Sequence, residues 1–460
     1  MAHEVGTPMS RFVAIDRDTQ YLLPPSVQDW LPQDHLARFV VDTVDQLDLR
    51  ALNIRYAGRG EAAYPPAMLL ALLFYGYATG EFSSRRIERA TYESVAFRYI
   101  AANTHPDHDT IANFRKRFLK EITGLFVQVL QVAQSLKLLK VGNVSLDGTK
   151  MKANASKHRA LSYGHAQRLE AQLKAEVAQL LRLAEQADRR ELPAGLDIPA
   201  ELARRETRLA AIRQAKAEIE QRAQERFAEE QQAYEAKVAA RAQRQARSGK
   251  KPGGKPPAPP TGGARATDQV NLTDDESRIM KSADGFTQAY NAQALVDVQS
   301  KLIVGNFVTQ QGNDYGQIEP ALAVLHGLPS ALGRPEHLLA DTGYFSQQNV
   351  RHCEAHGVTP LIALKRESHH VGVLERFAPA PPLSESADPT ERLHHRLATP
   401  EGKQLYAQRK TSVEPVFGIM KHVLRFRQFL LRGLDGASGE WNLLSMAFNL
   451  KRMHVLSRAR

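Results

Sequence analysis

The sequence predicts an α/β protein with a mixed β-sheet flanked by helices, an all-helical N-terminal domain and a helical-hairpin insertion. Three observations support this fold class. Apolar residues recur at helical spacing from Gln33 to about Lys140. Short apolar strands alternate with helical patterns from residue 267 onwards. Residues 159–248, which separate the first strand from the others, are rich in Ala, Gln, Arg and Glu and carry apolar residues three and four apart.

Residues 1–140 are predicted to be a helical DNA-binding domain, with residues 1–20 loose. Pro65-Pro66 can open a helix because proline is tolerated in the first turn. Asp109 is the predicted N-cap of a basic helix that carries Arg115 and Arg117. Compact helices with a capped, basic final member are typical of helix-turn-helix DNA readers. A solvated charged face is the alternative interpretation.

The sheet is predicted to begin in residues 141–158, with a strand, Val144–Asp147, that ends in a carboxylate. Lys150 follows closely enough to meet a phosphate. Residues 159–248 then predict two long helices folded back at Pro193–Pro199, with an antiparallel, coiled-coil-like seam that runs to Val238. Such a seam is usually structural, although a role in dimerisation or in clamping DNA is the alternative. Residues 249–265, rich in Gly, Pro and Lys, are predicted to be a flexible linker.

The rest of the sheet is predicted within residues 266–448. Asp284-Gly285 is a strong turn signal between two strands, and Leu302–Thr309 is a further strand. Leu338–Ala340 is an apolar strand that leads directly into Asp341. Ser346–His356 is a helix with a glycine just past its end. Strands followed by alternating strands and helices give a sheet of mixed direction.

Composition favours a polyanionic partner. The net charge is +11 and the pI is near 9.6. Residues 401–460 alone contain eleven Lys and Arg residues against four Asp and Glu. Cys353 is the one cysteine, which excludes an internal disulfide and a cysteine-rich zinc site. No run of 18 apolar residues occurs, so no membrane span is expected.

Three carboxylates form the candidate active site. Asp147 and Asp341 each follow a predicted strand, and Glu414 lies in the first turn of a helix that Ser412 could cap. Two Mg²⁺ ions about 3.5–4 Å apart can activate an attacking oxygen and stabilise a leaving oxygen on a phosphodiester. Mg²⁺ prefers carboxylate, water and phosphate ligands. Lys421 lies seven residues after Glu414, so two helical turns would place both on one face. An Asp that follows a strand is, by itself, more often a turn former or a cap.

Three stretches resemble the DDE transposases of bacterial insertion sequences, which have a ribonuclease-H-like catalytic core. The resemblance is carried by Leu146–Lys150, Ala340–Tyr344 and Val413–Gly418. The stretch from Asn271 to Gln293 is also similar, with Glu276 at a position where Asp is usual.

Those transposases carry a Tyr-Arg-Glu-Lys signature around the last carboxylate, with two, three and six intervening residues. Tyr406 and Arg409 have two residues between them, and Glu414 and Lys421 have six. Arg409 and Glu414 have four between them rather than three, so Lys410 is an alternative to Arg409.

The resemblance implies a transposase that acts on double-stranded DNA, at element ends and at a target. Asp147, Asp341 and Glu414 would be the catalytic residues and the ligands of two Mg²⁺ ions, for which Mn²⁺ could substitute. A homo-oligomer assembled on DNA, in the bacterial cytoplasm, is expected. The alternatives are a nuclease of the same fold without strand transfer and a non-catalytic DNA-binding regulator. The candidate DNA contacts are Tyr406, Arg409, Lys410, Lys421, Lys150, Arg115 and Arg117.

Overall fold

A computed structural model of the chain describes residues 26–54, 63–156, 159–186, 196–249, 253–282, 285–364, 382–384 and 387–459. The predicted loose segment, residues 1–20, and the first part of the predicted fold-back lie outside these residues.

The chain up to the sheet is helical. Its helices are α1 (Leu36–Val44), α2 (Arg50–Asn53), α3 (Pro66–Thr79), α4 (Ser84–Glu93), α5 (Val95–Ile100), α6 (His108–Arg117), α7 (Leu119–Gly124) and α8 (Phe126–Ser135).

Strands and helices alternate in the remainder. The strands are β1 (Val141–Lys152), β2 (Ala160–Ser162), β3 (Gln269–Asn271), β4 (Arg278–Ser282), β5 (Gly285–Asp297), β6 (Ile303–Thr309), β7 (Gly333–Ala340) and β8 (Thr359–Ile362). The helices are α9 (Tyr163–Gln186), α10 (Ile198–Ser248), α11 (Ile318–His326), α12 (Gln347–Ala355), α13 (Pro389–Ala398), α14 (Pro400–Ala407), α15 (Val413–Gly418) and α16 (Leu434–Arg458).

The main sheet has six strands in a mixed arrangement. β1 lies in its middle, antiparallel to β5 and parallel to β7, and β8 continues the parallel side. β4 and β6 both pair with β5. The N-terminal helices, the mixed sheet and the helical insertion confirm the predicted fold class, and the strand directions are those of a ribonuclease-H-like core.

The N-terminal helices and the sheet share one hydrophobic core. α3 is buried on all sides from Leu69 to Ala78, because its apolar residues run without a polar face. It packs against α16, which is almost continuously buried from Ala437 to Leu450 and contacts β6 on its other side. The helical region is therefore built onto the sheet through α16. No described helix is both long and apolar enough to cross a membrane.

β1 is longer than predicted. It does not end at Asp147 but continues to Lys152, because it stays paired with β5 as far as the Lys152–Ala289 pair. Its parallel pairing with β7 ends earlier, at Ser145 and Leu339. Asp147 therefore lies inside a strand, just past the point where β7 separates from it.

The insertion is a helical hairpin over its first half. α9 packs on the early turns of α10 and buries Leu173, Leu209 and Ile212 between them. Ion pairs flank this seam, with Arg205 at 2.8 Å from Glu176 and Lys216 at 2.7 Å from Glu170.

The second half of α10 has no partner in α9, which corrects the predicted seam. α9 begins at Tyr163, whose hydroxyl donates to Glu220 at 2.6 Å, so later turns of α10 pass its end. The predicted seam residues Phe227 and Val238 are accordingly 36% and 41% exposed. The described part of the segment predicted to be a flexible linker, residues 253–265, runs back along these turns. Arg241 donates to the Gly254 carbonyl at 2.9 Å and Arg226 to the Gly263 carbonyl at 3.3 Å.

Candidate active site

The sheet register brings Asp147 and Asp341 together. Ser145 pairs with Leu339 in parallel strands, and each Asp lies two residues further along its own strand direction. Side chains two residues apart in a strand point to the same face. One oxygen of Asp341 also accepts the Gly343 amide at 2.8 Å and so caps a short turn. Asp341 is therefore a cap, as the alternative interpretation held, and it also lies near Asp147.

Asp147 is a half-buried carboxylate whose pKa is raised from 3.8 to about 7. Burial is the largest cause and the negative charge of Asp341 is the next, because both disfavour the ionised form. The Gly148 amide, at 2.8 Å, and the Arg409 guanidinium act in the opposite direction.

Arg409 connects the sheet carboxylates to Glu414. Its Nη1 lies 3.5 Å from Asp147 Oδ2 and its Nη2 lies 3.2 Å from Glu414 Oε1. The side chain of Arg409 is only 12% exposed, whereas that of Glu414 is 52% exposed. Lys410 is on the surface. The geometry therefore places Arg409, and not its neighbour, between two of the three predicted catalytic residues.

Lys421 reaches the same strand from a distorted helix. Residues 419–423 form a π-helical turn directly after α15, so the helix between Glu414 and Lys421 is not the regular one that was assumed. Such turns are frequent at functional sites. Lys421 donates a hydrogen bond to the Thr149 hydroxyl, two residues beyond Asp147. Burial lowers the pKa of Lys421 and the charge of Asp147 opposes that shift.

Ser412 does not cap α15 as predicted. No side-chain hydrogen bond is present at that helix start, and the Ser412 hydroxyl donates to the Arg409 carbonyl at 2.8 Å. This bond instead closes the turn that precedes Glu414.

A fourth carboxylate, Asp314, was missed by the sequence reasoning. Its Oδ1 accepts from Asn291 at 2.7 Å and from Gln293 at 2.8 Å, and it lies 3.6 Å from the Lys150 ammonium. Its charge contributes to the raised pKa of Asp147. The available signal was the similarity of the stretch ending at Gln293, but no pattern linked that stretch to Asp314.

Gly148 is enclosed by this network. A Cβ atom at that position would lie 2.6 Å from Asp314 Oδ1 and 2.9 Å from Asn291 Oδ1, and still closer to the Gln293 amide. A side chain at position 148 would therefore have to displace the ends of these three side chains.

Arg115 is buried and is therefore not placed to contact DNA. It is 7% exposed and donates to the Tyr77 hydroxyl at 2.8 Å. That hydroxyl donates in turn to the fully buried Glu440 at 2.7 Å, so Arg115 joins α6 to α3 and α16. Arg117 is exposed over the Phe118 ring. The cap of α6 is Asp107, which accepts the Thr110 amide at 2.6 Å, and not the predicted Asp109.

The remaining predicted residues lie around the carboxylates. Lys150 is half-buried, and its ammonium lies 3.6 Å from Asp314 Oδ1. Tyr406 is partly buried in α14, and its charge raises the pKa of Arg409, as do those of Asp147 and Glu414, against the effect of burial.

The donor set fits divalent cations. Burial and a like charge hold the pKa of Asp147 near 7, and a guanidinium stands between Asp147 and Glu414 where a positive charge is needed. In the part of the chain that the structure describes, no three His, Cys, Asp or Glu side chains, the three predicted ligands included, come together as a group that could hold a metal ion. Carboxylates at a sheet edge, completed by waters and phosphates, suit Mg²⁺ better than an all-protein cage.

Two protein-family profiles match the chain. Residues 25–117 match the profile described as "Transposase domain (DUF772)", and residues 256–450 match the "Transposase DDE domain". Together they cover more than half of the chain and include Asp341 and Glu414, whereas Asp147 lies between them. The chain belongs to the DDE transposases of insertion sequences, a family that generally depends on divalent metal ions. No curated protein and no solved structure matches the chain.

Proposed function

We propose that this transposase binds the ends of its element, cleaves the DNA there and joins the freed strand to a target. The observation that supports this best is the meeting of Asp147 with Asp341, and the link from Asp147 through Arg409 to Glu414. These residues come from β1, β7 and α15, so the fold and not local sequence assembles the site.

Asp147, Asp341 and Glu414 would hold two Mg²⁺ ions, for which Mn²⁺ could substitute. The bound ions would activate the attacking oxygen and stabilise the leaving oxygen. In the first reaction, water attacks a phosphorus at the element end and a 3′-oxygen leaves as a 3′-hydroxyl. In the second, that hydroxyl attacks a target phosphodiester, a new 3′–5′ bond forms, and the target 3′-oxygen leaves.

Basic side chains around the carboxylates would hold the DNA backbone. Lys150, beside Asp314, lies on the strand that carries Asp147, and Lys421 reaches that strand through its hydrogen bond to Thr149. Charge-assisted hydrogen bonds to phosphate are stronger than neutral ones. Arg409 would orient the carboxylates and bind phosphate, and Tyr406 and Lys410 would contact the flanking DNA.

The test uses a supercoiled plasmid that carries the gene with its natural flanking DNA. Wild type in Mg²⁺ should nick or cut it and, given a second plasmid, should produce joined strands. Asp147→Ala, Asp341→Ala and Glu414→Ala should each abolish cleavage but retain DNA binding, because most affinity comes from Lys and Arg contacts to phosphate. Asp42→Ala, at an exposed position of α1, is the matched control.

Each part of the proposal can fail separately. Near-normal cleavage by one of the three variants would remove that residue from the site. Cleavage by the wild type without any joined product would leave a nuclease of the same fold. Binding without cleavage at any tested concentration of Mg²⁺ or Mn²⁺ would leave a DNA-binding regulator.

A further inference from the structure

The far end of α10 concentrates positive charge that the candidate active site does not use. From Lys237 to Lys255 the sequence contains seven Lys and Arg residues and no Asp or Glu. The preceding turns contain four glutamates between residues 225 and 235. The charge therefore changes from acidic to basic along one helix. A uniformly basic composition of the chain would not produce this change.

The basic residues gather on one face. Lys237, Arg241 and Arg244 are spaced by four and three residues, so they are neighbours along the helix surface. The returning segment lies along this face and adds Lys255, and Arg241 fixes it by donating to the carbonyls of Gly253 at 3.3 Å and Gly254 at 2.9 Å. We call the resulting open groove, of about 570 Å³, the basic groove; its lining contains these four basic residues and one acidic residue, Glu230.

Burial of apolar side chains does not explain this part of the helix. Among the described residues of α10, the last buried one is Ala223, roughly 40 Å of helix before Ser248. Neighbouring like charges four residues apart destabilise a helix by about 0.2–0.5 kcal/mol. The helix dipole favours cations only in the last turn, whereas Lys237 and Arg241 lie about three and two turns before Ser248.

We propose that the basic groove binds the phosphate backbone of duplex DNA that extends from the bound element end. The inference rests on the proposed function and adds a second DNA contact to it. A polyanion would turn the mutual repulsion of the four cations into attraction, with release of its counterions. Contacts of this kind position a protein on DNA without reading its sequence.

The test compares two triple variants with the same change in net charge. The first is Lys237→Gln, Arg244→Gln and Lys255→Gln, which leaves Arg241 to hold the returning segment. The control is Arg204→Gln, Arg208→Gln and Arg213→Gln, at exposed positions of the α9–α10 hairpin. Circular dichroism checks that both keep the helical content of the wild type.

Binding of the full chain to a duplex of natural end sequence is measured by fluorescence anisotropy over a series of salt concentrations. On a duplex of about 40 base pairs, the groove variant should bind on the order of tenfold more weakly than the control. Its slope of log K against log salt should be shallower by about 2–3. A duplex of about 12 base pairs is only about as long as the helix extension, roughly 40 Å. On this short duplex the groove variant and the control should bind with equal affinity.

Two results would overturn the inference while leaving the proposed function intact. One is equal affinity and equal salt slope for the wild type and the groove variant on the long duplex. The other is an equal loss in both variants, which would reflect net charge alone. Failure of the wild type to bind either duplex would instead count against the proposed function.

Discussion

Replacing Asp147 by Asn should stabilise the metal-free protein above neutral pH while abolishing cleavage. Burial and then the charge of Asp341 raise the pKa of Asp147 from 3.8 to about 7. Ionising this group in the folded protein therefore costs about 4 kcal/mol relative to the unfolded chain, at 1.36 kcal/mol per pKa unit. Asn is close to the neutral carboxyl in shape and charge, so the variant avoids this cost.

The sign of the pH dependence follows from the raised pKa. Below about pH 4, Asp147 is neutral in both states and the wild type should be about as stable as the variant. Between pH 4 and 7 only the unfolded chain loses its proton from this group, so the wild type loses stability as pH rises. The advantage of Asp147→Asn should thus grow over this interval and be complete above pH 7.

The assay is urea unfolding in EDTA, followed by circular dichroism, at pH 5, 6.5 and 8. Asp42→Asn, on the surface of α1, is the control and should show no such trend. Adding Mg²⁺ at pH 8 should then stabilise the wild type more than the variant, because a ligand that binds only the folded state adds stability by mass action. An advantage of Asp147→Asn that does not increase from pH 5 to pH 8 would refute the electrostatic reasoning.

Three further predictions use matched positions. Gly148→Ala should lose cleavage and thermal stability because its Cβ would overlap side chains, whereas Gly142→Ala in the same strand meets nothing within 4 Å and should be tolerated in both assays. Arg115→Ala should lower the free energy of unfolding by about 3–5 kcal/mol by leaving a buried carboxylate uncompensated, whereas the exposed Arg117→Ala should change it little. Lys421→Ala should slow single-turnover cleavage about tenfold to hundredfold, with partial rescue by Lys421→Arg, and equal rates would mean that Lys421 makes no contact with the reacting DNA.

Local patterns in the sequence were sufficient for the elements that carry the carboxylates. Asp341 follows Leu338–Ala340, the buried and apolar end of β7, and such a run predicts a strand directly. The second half of β1 could not be predicted in this way. Residues 148–152 read as a polar turn, and they are held in the strand by pairing with β5, more than a hundred residues away in the chain.

Several features of the site depend on contacts between residues that are distant in the sequence, and local patterns do not predict such contacts. Asp314 lies in a polar loop between β6 and α11. The pairing of β5 with β6 brings Asn291 and Gln293 to it, and the long-range pairing of β5 with β1 brings this group beside Asp147. The helical periodicity of residues 198–248 was correct, but periodicity does not say which turns have a partner. Arg115 and Arg117 show the same limit, since two basic residues on one helix differ only in which tertiary neighbours they meet.

The extra residue between Arg409 and Glu414 does not prevent them from meeting, because the signature is not carried by one helix. α14 ends at Ala407 and α15 begins at Val413, so the spacing is set by the intervening turn and not by the period of a helix. In that turn both the amide and the hydroxyl of Ser412 donate to the Arg409 carbonyl, at 3.1 and 2.8 Å. The turn thereby absorbs the added residue and directs the guanidinium towards Asp147 and Glu414, while Lys410 stays on the surface. The added residue is therefore accommodated in the loop, and Arg409 still meets Glu414.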